Sequence, residues 1–144
     1  MSIQNVKESF FKHVKGIAST HLSALTVLYN KWQGESLPAL SVFFGEKHWR
    51  RHPFKALTVQ LTLRYGDYNE INATNALQIL EEQLYISEKT LNETRECNYY
   101  EYDTGSEVVT SKTLQWIQVG STMPVYSKHD EIEGYTILLD VLYR

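Results

Sequence analysis

Cysteine occurs once, at Cys97, in a chain of 144 residues. That excludes an internal disulfide and fits a reducing compartment, with a small buried hydrophobe as the plain reading of the thiol. Long apolar runs are also missing, and none comes near the ~20 residues that a membrane-spanning helix requires. The first residues are charged or polar every few positions, so no leader is expected. Charge of one sign is scarce: the formal net charge is −3 and the pI about 5.9. No global field therefore draws the protein toward nucleic acid or an anionic membrane. The chain has no Gly-rich phosphate loop, no G-x-S-x-G elbow, no C-x-x-C and no D-x-D-x-D loop. It has no internal repeat and no low-complexity tract. The expectation is a soluble, cytoplasmic, non-enzymatic domain with no catalytic residue, no cofactor and no metal.

What is present is ordinary in amount and distinctive in kind. A composition of 42% hydrophobic and 22% charged residues suits one globular domain over residues 1–144, and a domain of this size buries roughly 70% of its unfolded surface. Ten Tyr, five Phe and three Trp stand out, because Tyr and Trp are favoured where a surface is half core and half interface.

The clearest period lies in Lys55 to Tyr65, K-A-L-T-V-Q-L-T-L-R-Y. Leu57, Val59, Leu61, Leu63 and Tyr65 share one parity, and Ala56, Thr58, Gln60, Thr62 and Arg64 the other. This is a strand with one buried and one wetter face, placed at the centre of the domain. A slip of one residue would expose the whole apolar set, so its register is firmly specified.

Before it, Ser2 to about Ser19 predicts an amphipathic helix, with Ile3, Val6, Phe10, Val14 and Ile17 as its stripe and Ser2 as N-cap. Thr20 to Leu37 is harder to place, although A-L-T-V-L-Y at Ala24 to Tyr29 has strand character and N-K-W-Q-G-E-S reads as a turn about Gly34. Ala39 to Gly45 alternates as a strand that pairs with the central one. Between them, E-K-H-W-R-R-H-P-F is too long and too charged for a tight turn, and Pro53 cannot donate to a ladder, so a protruding loop is expected. It holds Lys47, Arg50, Arg51 and Lys55 around Trp49. Two readings stand for it: a contact arm anchored by Trp49 for an acidic or phosphate-bearing partner, or a solvated loop whose Trp packs back on its own sheet. His48 and His52 have a helical ligand spacing, but there is no adjacent Glu and Pro53 opposes a helix.

After Gly66 a second helix is expected. Asp67 and Glu70 have capping-box spacing if it begins there, and Asn72 serves if it begins later. Its stripe is Ala73, Ala76, Leu77, Leu80 and Leu84, and it ends near Ser87. Asn92 to Cys97 reads as a connection. Asn98 to Asp103 sets Tyr100 and Tyr102 on one parity, Thr104-Gly105-Ser106 turns, and Glu107 to Met123 is strand-like. Gly134 to Arg144 closes the chain with Tyr135, Ile137, Leu139, Val141 and Tyr143 on one face and Leu138 and Leu142 on the other, a strand covered on both sides. Asp103, Asp130, Glu131 and Glu133 read as turn acids. The fold class is α+β, a mainly antiparallel sheet with an N-terminal helix and a second helix packed across the sheet.

This order, with its P-A-L-S-V-F-F strand, its K-A-L-T-V-Q-L-T-L-R-Y strand, the helix N-A-T-N-A-L-Q-I-L-E-E-Q-L and the final G-Y-T-I-L-L-D-V-L-Y-R, resembles the tail terminator and related minor tail or neck proteins of tailed bacteriophages. The resemblance covers most of the chain and rests on element order and strand texture. It implies a structural virion protein, assembled in the host cytoplasm and resident in the virion. Such proteins form a homo-oligomeric ring, commonly a hexamer, that caps the tail tube, ends its polymerisation and offers the surface for head joining. The implied partners are the tail tube protein and a head-completion or connector protein, with DNA passing through the lumen without specific binding. On this reading Lys47, Trp49, Arg50 and Arg51 form an interface with a neighbour or the tube. A head-tail connector or other neck protein shares the composition. An unrelated ligand-binding or enzymatic α+β domain would instead show a concave pocket with converging polar groups.

Overall fold

The computed structural model describes the backbone of residues 1–51, 54–84 and 95–144, and the side chains of these apart from 46–51, 54, 95–96 and 115–121. Helix α1 spans Ile3–His21, followed by β1 (Thr26–Tyr29), β2 (Ala39–Arg51), β3 (Phe54–Arg64), α2 (Glu70–Leu84), β4 (Arg95–Glu101), β5 (Val108–Tyr126) and β6 (Ile132–Tyr143). The strands form one six-stranded sheet in the order β1-β2-β3-β6-β5-β4. Every neighbouring pair is antiparallel except β1 with β2. The α+β class and both helices stand as expected.

The period of β3 is what builds the core. Leu57, Val59, Leu61 and Leu63 are fully buried, and β6 pairs with β3 so that Leu61 faces Ile137 and Leu57 faces Val141. Phe10, Val14 and Ile17 of α1 and Ala76, Leu80 and Leu84 of α2 close over this same face. Thr74 Oγ1 of α2 lies 3.1 Å from the Tyr135 hydroxyl of β6, which fixes α2 across the centre of the sheet. Over Leu139 to Tyr143 both parities of β6 are buried, as a strand covered on both sides requires.

Helix α1 starts where Ser2 Oγ accepts the Asn5 N–H at 3.2 Å, satisfying an amide that has no partner within the helix. Its apolar stripe begins at Val6, since Ile3 stays 40% exposed, and the polar Asn5 and Ser9 take the buried positions instead. The second helix begins at Glu70 with Asn69 in the N-cap place, its carbonyl accepting from Ala73 N. Asp67 and Asn72 therefore do not cap it. Its expected end near Ser87 falls outside the described residues.

Two further expectations change. The predicted loop from Glu46 to Phe54 is largely ladder: β2 runs on to Arg51, and Arg51 pairs with Phe54. A bulge between Phe44 and His48 absorbs two extra residues of β2 and lets the charged segment continue as strand. The connection read at Asn92 to Cys97 becomes strand from Arg95. In β4 the buried side chains are Cys97 and Tyr99, the parity opposite to Tyr100.

The segment that was hard to place returns the chain. Because β1 and β2 run parallel, residues 30–38 travel back along the sheet on the face away from the helices. Asn30 and Gly34 turn it with φ of 79° and 92°. At the other end of the core, Gly134 ends the β3–β6 ladder opposite Arg64, and a Cβ there would lie 1.7 Å from the Leu63 carbonyl oxygen.

Candidate interaction surfaces

The sheet twists so that α1 meets both of its edges. At the β1 edge Phe11 packs edge-on against Tyr29, with ring centroids 5.2 Å apart. At the β4 edge the contact is polar. Ser9 Oγ accepts the Tyr100 N–H at 2.9 Å and donates to the Tyr100 carbonyl at 3.3 Å. One turn earlier, Asn5 Oδ1 accepts the Tyr102 N–H at 3.1 Å, and its Nδ2 donates to Asp103 Oδ2 at 2.9 Å. Two buried side chains at helical i, i+4 spacing thus occupy outward backbone groups that an edge strand would otherwise present to another chain. Around this seam Lys12 pairs with Glu107 and lies 4.1 Å above the Tyr100 ring. Burial, then the Glu107 carboxylate, pushes the Tyr102 hydroxyl up to about 12. Past the seam α1 and β4 diverge into a groove that includes His13, Gly16 and His21. Burial lowers the pKa of His13.

The second surface is the sheet face opposite the helices. Residues of the wetter parity line up across strands: Ser41, Thr62 and Thr136 form one row, and Phe43, Gln60 and Leu138 the next. Thr62 and Thr136 hydroxyls lie 3.3 Å apart. The returning segment lays Trp32 beside this face, with Nε1 donating to the Glu35 carbonyl at 2.9 Å. The Arg64 guanidinium stands 5.1 Å from the Trp32 ring, and Lys31 Nζ stands 4.8 Å from the Phe43 ring. These are two cation-π pairs around one shallow groove of about 160 Å³. Arg64 also pairs with Glu133, while the Glu35 carboxylate is turned back to accept the Gln33 N–H at 2.6 Å.

The third surface is the outer face of α2. From Asp67 to Leu84 there are four acidic residues and no Lys or Arg. Tyr68 and Ile71 are each 78% exposed beside Glu70.

The residues expected at the interface, Lys47, Trp49, Arg50 and Arg51, are brought onto one strand, β2. Trp49 is in register with Ala56, Arg50 with Lys55 and Arg51 with Phe54. Their side chains, together with His52 and Pro53, lie outside the described part of the structure. Of the turn acids, Asp103 accepts from Asn5 and Glu133 holds Arg64. Asp130 sits in the β5–β6 turn with φ of 59°. Among the described residues no group of three or more His, Cys, Asp or Glu is placed to hold a metal ion, and no helix is long and apolar enough to cross a membrane. No protein-family model matches the chain, and no curated protein matches it.

Sequence reading missed both the α1–β4 seam and the Trp32 groove. A signal existed for the first in Asn5 and Ser9, polar residues set inside a helix stripe. For the second it lay in Arg64 on the wetter parity of β3, with nothing nearby in sequence to name Trp32 as its partner.

Proposed function

We propose that this protein is a structural component of a tailed-bacteriophage virion, a tail terminator that caps the tail tube as a ring, ends tube polymerisation and offers the head-joining surface. The reading is non-enzymatic and places the protein in the tail or neck, with the tube protein and a head-completion or connector protein as partners. The observation that carries it is the arrangement of one sheet. Two of the elements that carry the resemblance, β3 and β6, lie side by side at its centre. Both helices cover one face, and the opposite face carries aromatic rings, hydroxyls and cations around a shallow groove. Two unlike faces on one small domain suit a heterologous contact, the kind that builds a ring when the rotation between copies closes. An overall charge of −3 suits a lumen that passes DNA without holding it. The β2–β3 hairpin with Trp49, Arg50 and Arg51 is the element assigned to reach the tube or a neighbour.

The test is the mass of the purified protein over a concentration series, by light scattering on a sizing column, with negative-stain images. A ring with an open centre and about six copies of the 16.8 kDa chain is expected. A compact two-fold dimer, or an assembly with no central opening, would overturn the reading.

A further inference from the structure

The ring reading leaves open which surfaces meet. We infer that the acidic outer face of α2 in one copy docks on the Lys31–Trp32–Arg64 face of the next copy, with the Tyr68–Ile71 step laid on the Trp32 and Phe43 rings. This inference rests on the ring reading and names the contact that would close it.

Glu70, Glu81 and Glu82 stand on α2 and Asp67 on its approach, with no Lys or Arg from 67 to 84 and the His129 imidazole 3.8 Å from the Asp67 carboxylate. Such a surface meets its best partner in a cationic one and is repelled by a copy of itself. On the opposite face, Lys31 is exposed above Phe43, and Arg64 stands over Trp32. The apolar parts match as well. Tyr68 and Ile71 are 78% exposed at one end of α2, and on the other face the half-buried Phe43 and Trp32 rings offer a surface for them. Aromatic and aliphatic anchors inside a polar rim are the usual composition of an interface centre.

Topology then decides what kind of contact this is. Strand alternation puts Ser41, Phe43, Thr62 and Arg64 on one side of the sheet and the α2-covered Leu61, Leu63 and Ile137 on the other. The two complementary patches therefore lie on opposite faces of the same domain. A contact that joins them uses different surfaces on the two partners, so it repeats head to tail, and it gives a ring where the rotation from copy to copy closes.

The experiment uses the full chain and reads mass by light scattering, with far-ultraviolet circular dichroism to establish folding. Lys31→Glu and Glu70→Lys, each alone, set like charges across the contact. Each should raise the concentration needed for assembly about tenfold or more. A one-to-one mixture of the two variants restores an opposite pair at every contact and should recover rings made of alternating subunits. Ile71→Asp should abolish assembly while leaving the monomer folded, because Ile71 supports no core residue. If the unmodified chain forms rings and all three variants form them equally well, this contact is wrong and the ring reading survives. If the unmodified chain stays monomeric at every concentration, the contact falls. Rescue in the mixture together with loss in each single variant is the supporting result.

Discussion

Ser9 and Tyr100, 91 residues apart, exchange two hydrogen bonds: the Ser9 hydroxyl accepts the Tyr100 amide at 2.9 Å and donates to the Tyr100 carbonyl at 3.3 Å. A helix side chain thus stands where a seventh strand would pair. Ser9→Ala leaves both backbone groups of Tyr100 without that partner, and destabilisation of about 1–3 kcal/mol is expected. Urea unfolding measures it, and hydrogen exchange at the Tyr100 amide should speed up more than exchange in β3. Unchanged exchange at Tyr100 would show that the seam does not protect the edge.

Gly134→Ala tests the close approach of β6 to β3 at the end of their ladder. An added methyl would sit 1.7 Å from Leu63 O, a contact relieved only by moving one of the two central strands. The expected cost is about 3 kcal/mol or more, at or above the upper end of ordinary overpacking. A melting temperature within a degree or two of the parent would contradict the register at Arg64 and Gly134.

Cys97 and His13 are two of the groups that set how stability bends with pH. Burial pushes the Cys97 thiol from its ordinary 9.0 up to about 12, so above pH 9 the unfolded chain releases a proton that the folded one keeps. Stability should fall as pH rises through that window, and Cys97→Ala should flatten the fall. Burial lowers the pKa of His13 below 6.5, so as pH drops through 6.5 the unfolded chain binds a proton that the folded one resists. Stability should fall there too, and His13→Gln should reduce the slope. Unfolding midpoints from pH 5 to 11 for the three proteins check both signs.

Trp32 and Arg64 should be coupled. The guanidinium lies over the ring at 5.1 Å and is also held by Glu133, in a partly buried setting. A double-mutant cycle with Trp32→Ala and Arg64→Ala is expected to return an interaction of about 0.5–1 kcal/mol. A value near zero would mean that the Trp32–Arg64 pair does not help to hold the returning segment.

The hairpin variant Trp49→Ala with Arg51→Ala should weaken ring formation or docking on tube ends without unfolding the domain, with far-ultraviolet circular dichroism as the check on folding. Unchanged assembly would remove the hairpin from the contact set.

Much of the architecture was legible because burial follows local period. The alternation of Leu57 to Leu63 named the core face of β3, the spacing of Val6, Phe10, Val14 and Ile17 named the buried side of α1, and Ser2 marked the start of that helix. In each case one element carries its own instruction, since a strand or helix must bury the stripe it presents. What lay between elements was not legible. Only the tertiary structure made β1 parallel to β2, drew the charged 46–51 segment into a ladder, set Asn5 and Ser9 against β4, and brought Trp32 to Arg64. The last two depend on partners tens of residues apart, the first two on a parallel return and a bulge, and none of these leaves a periodic trace in the chain.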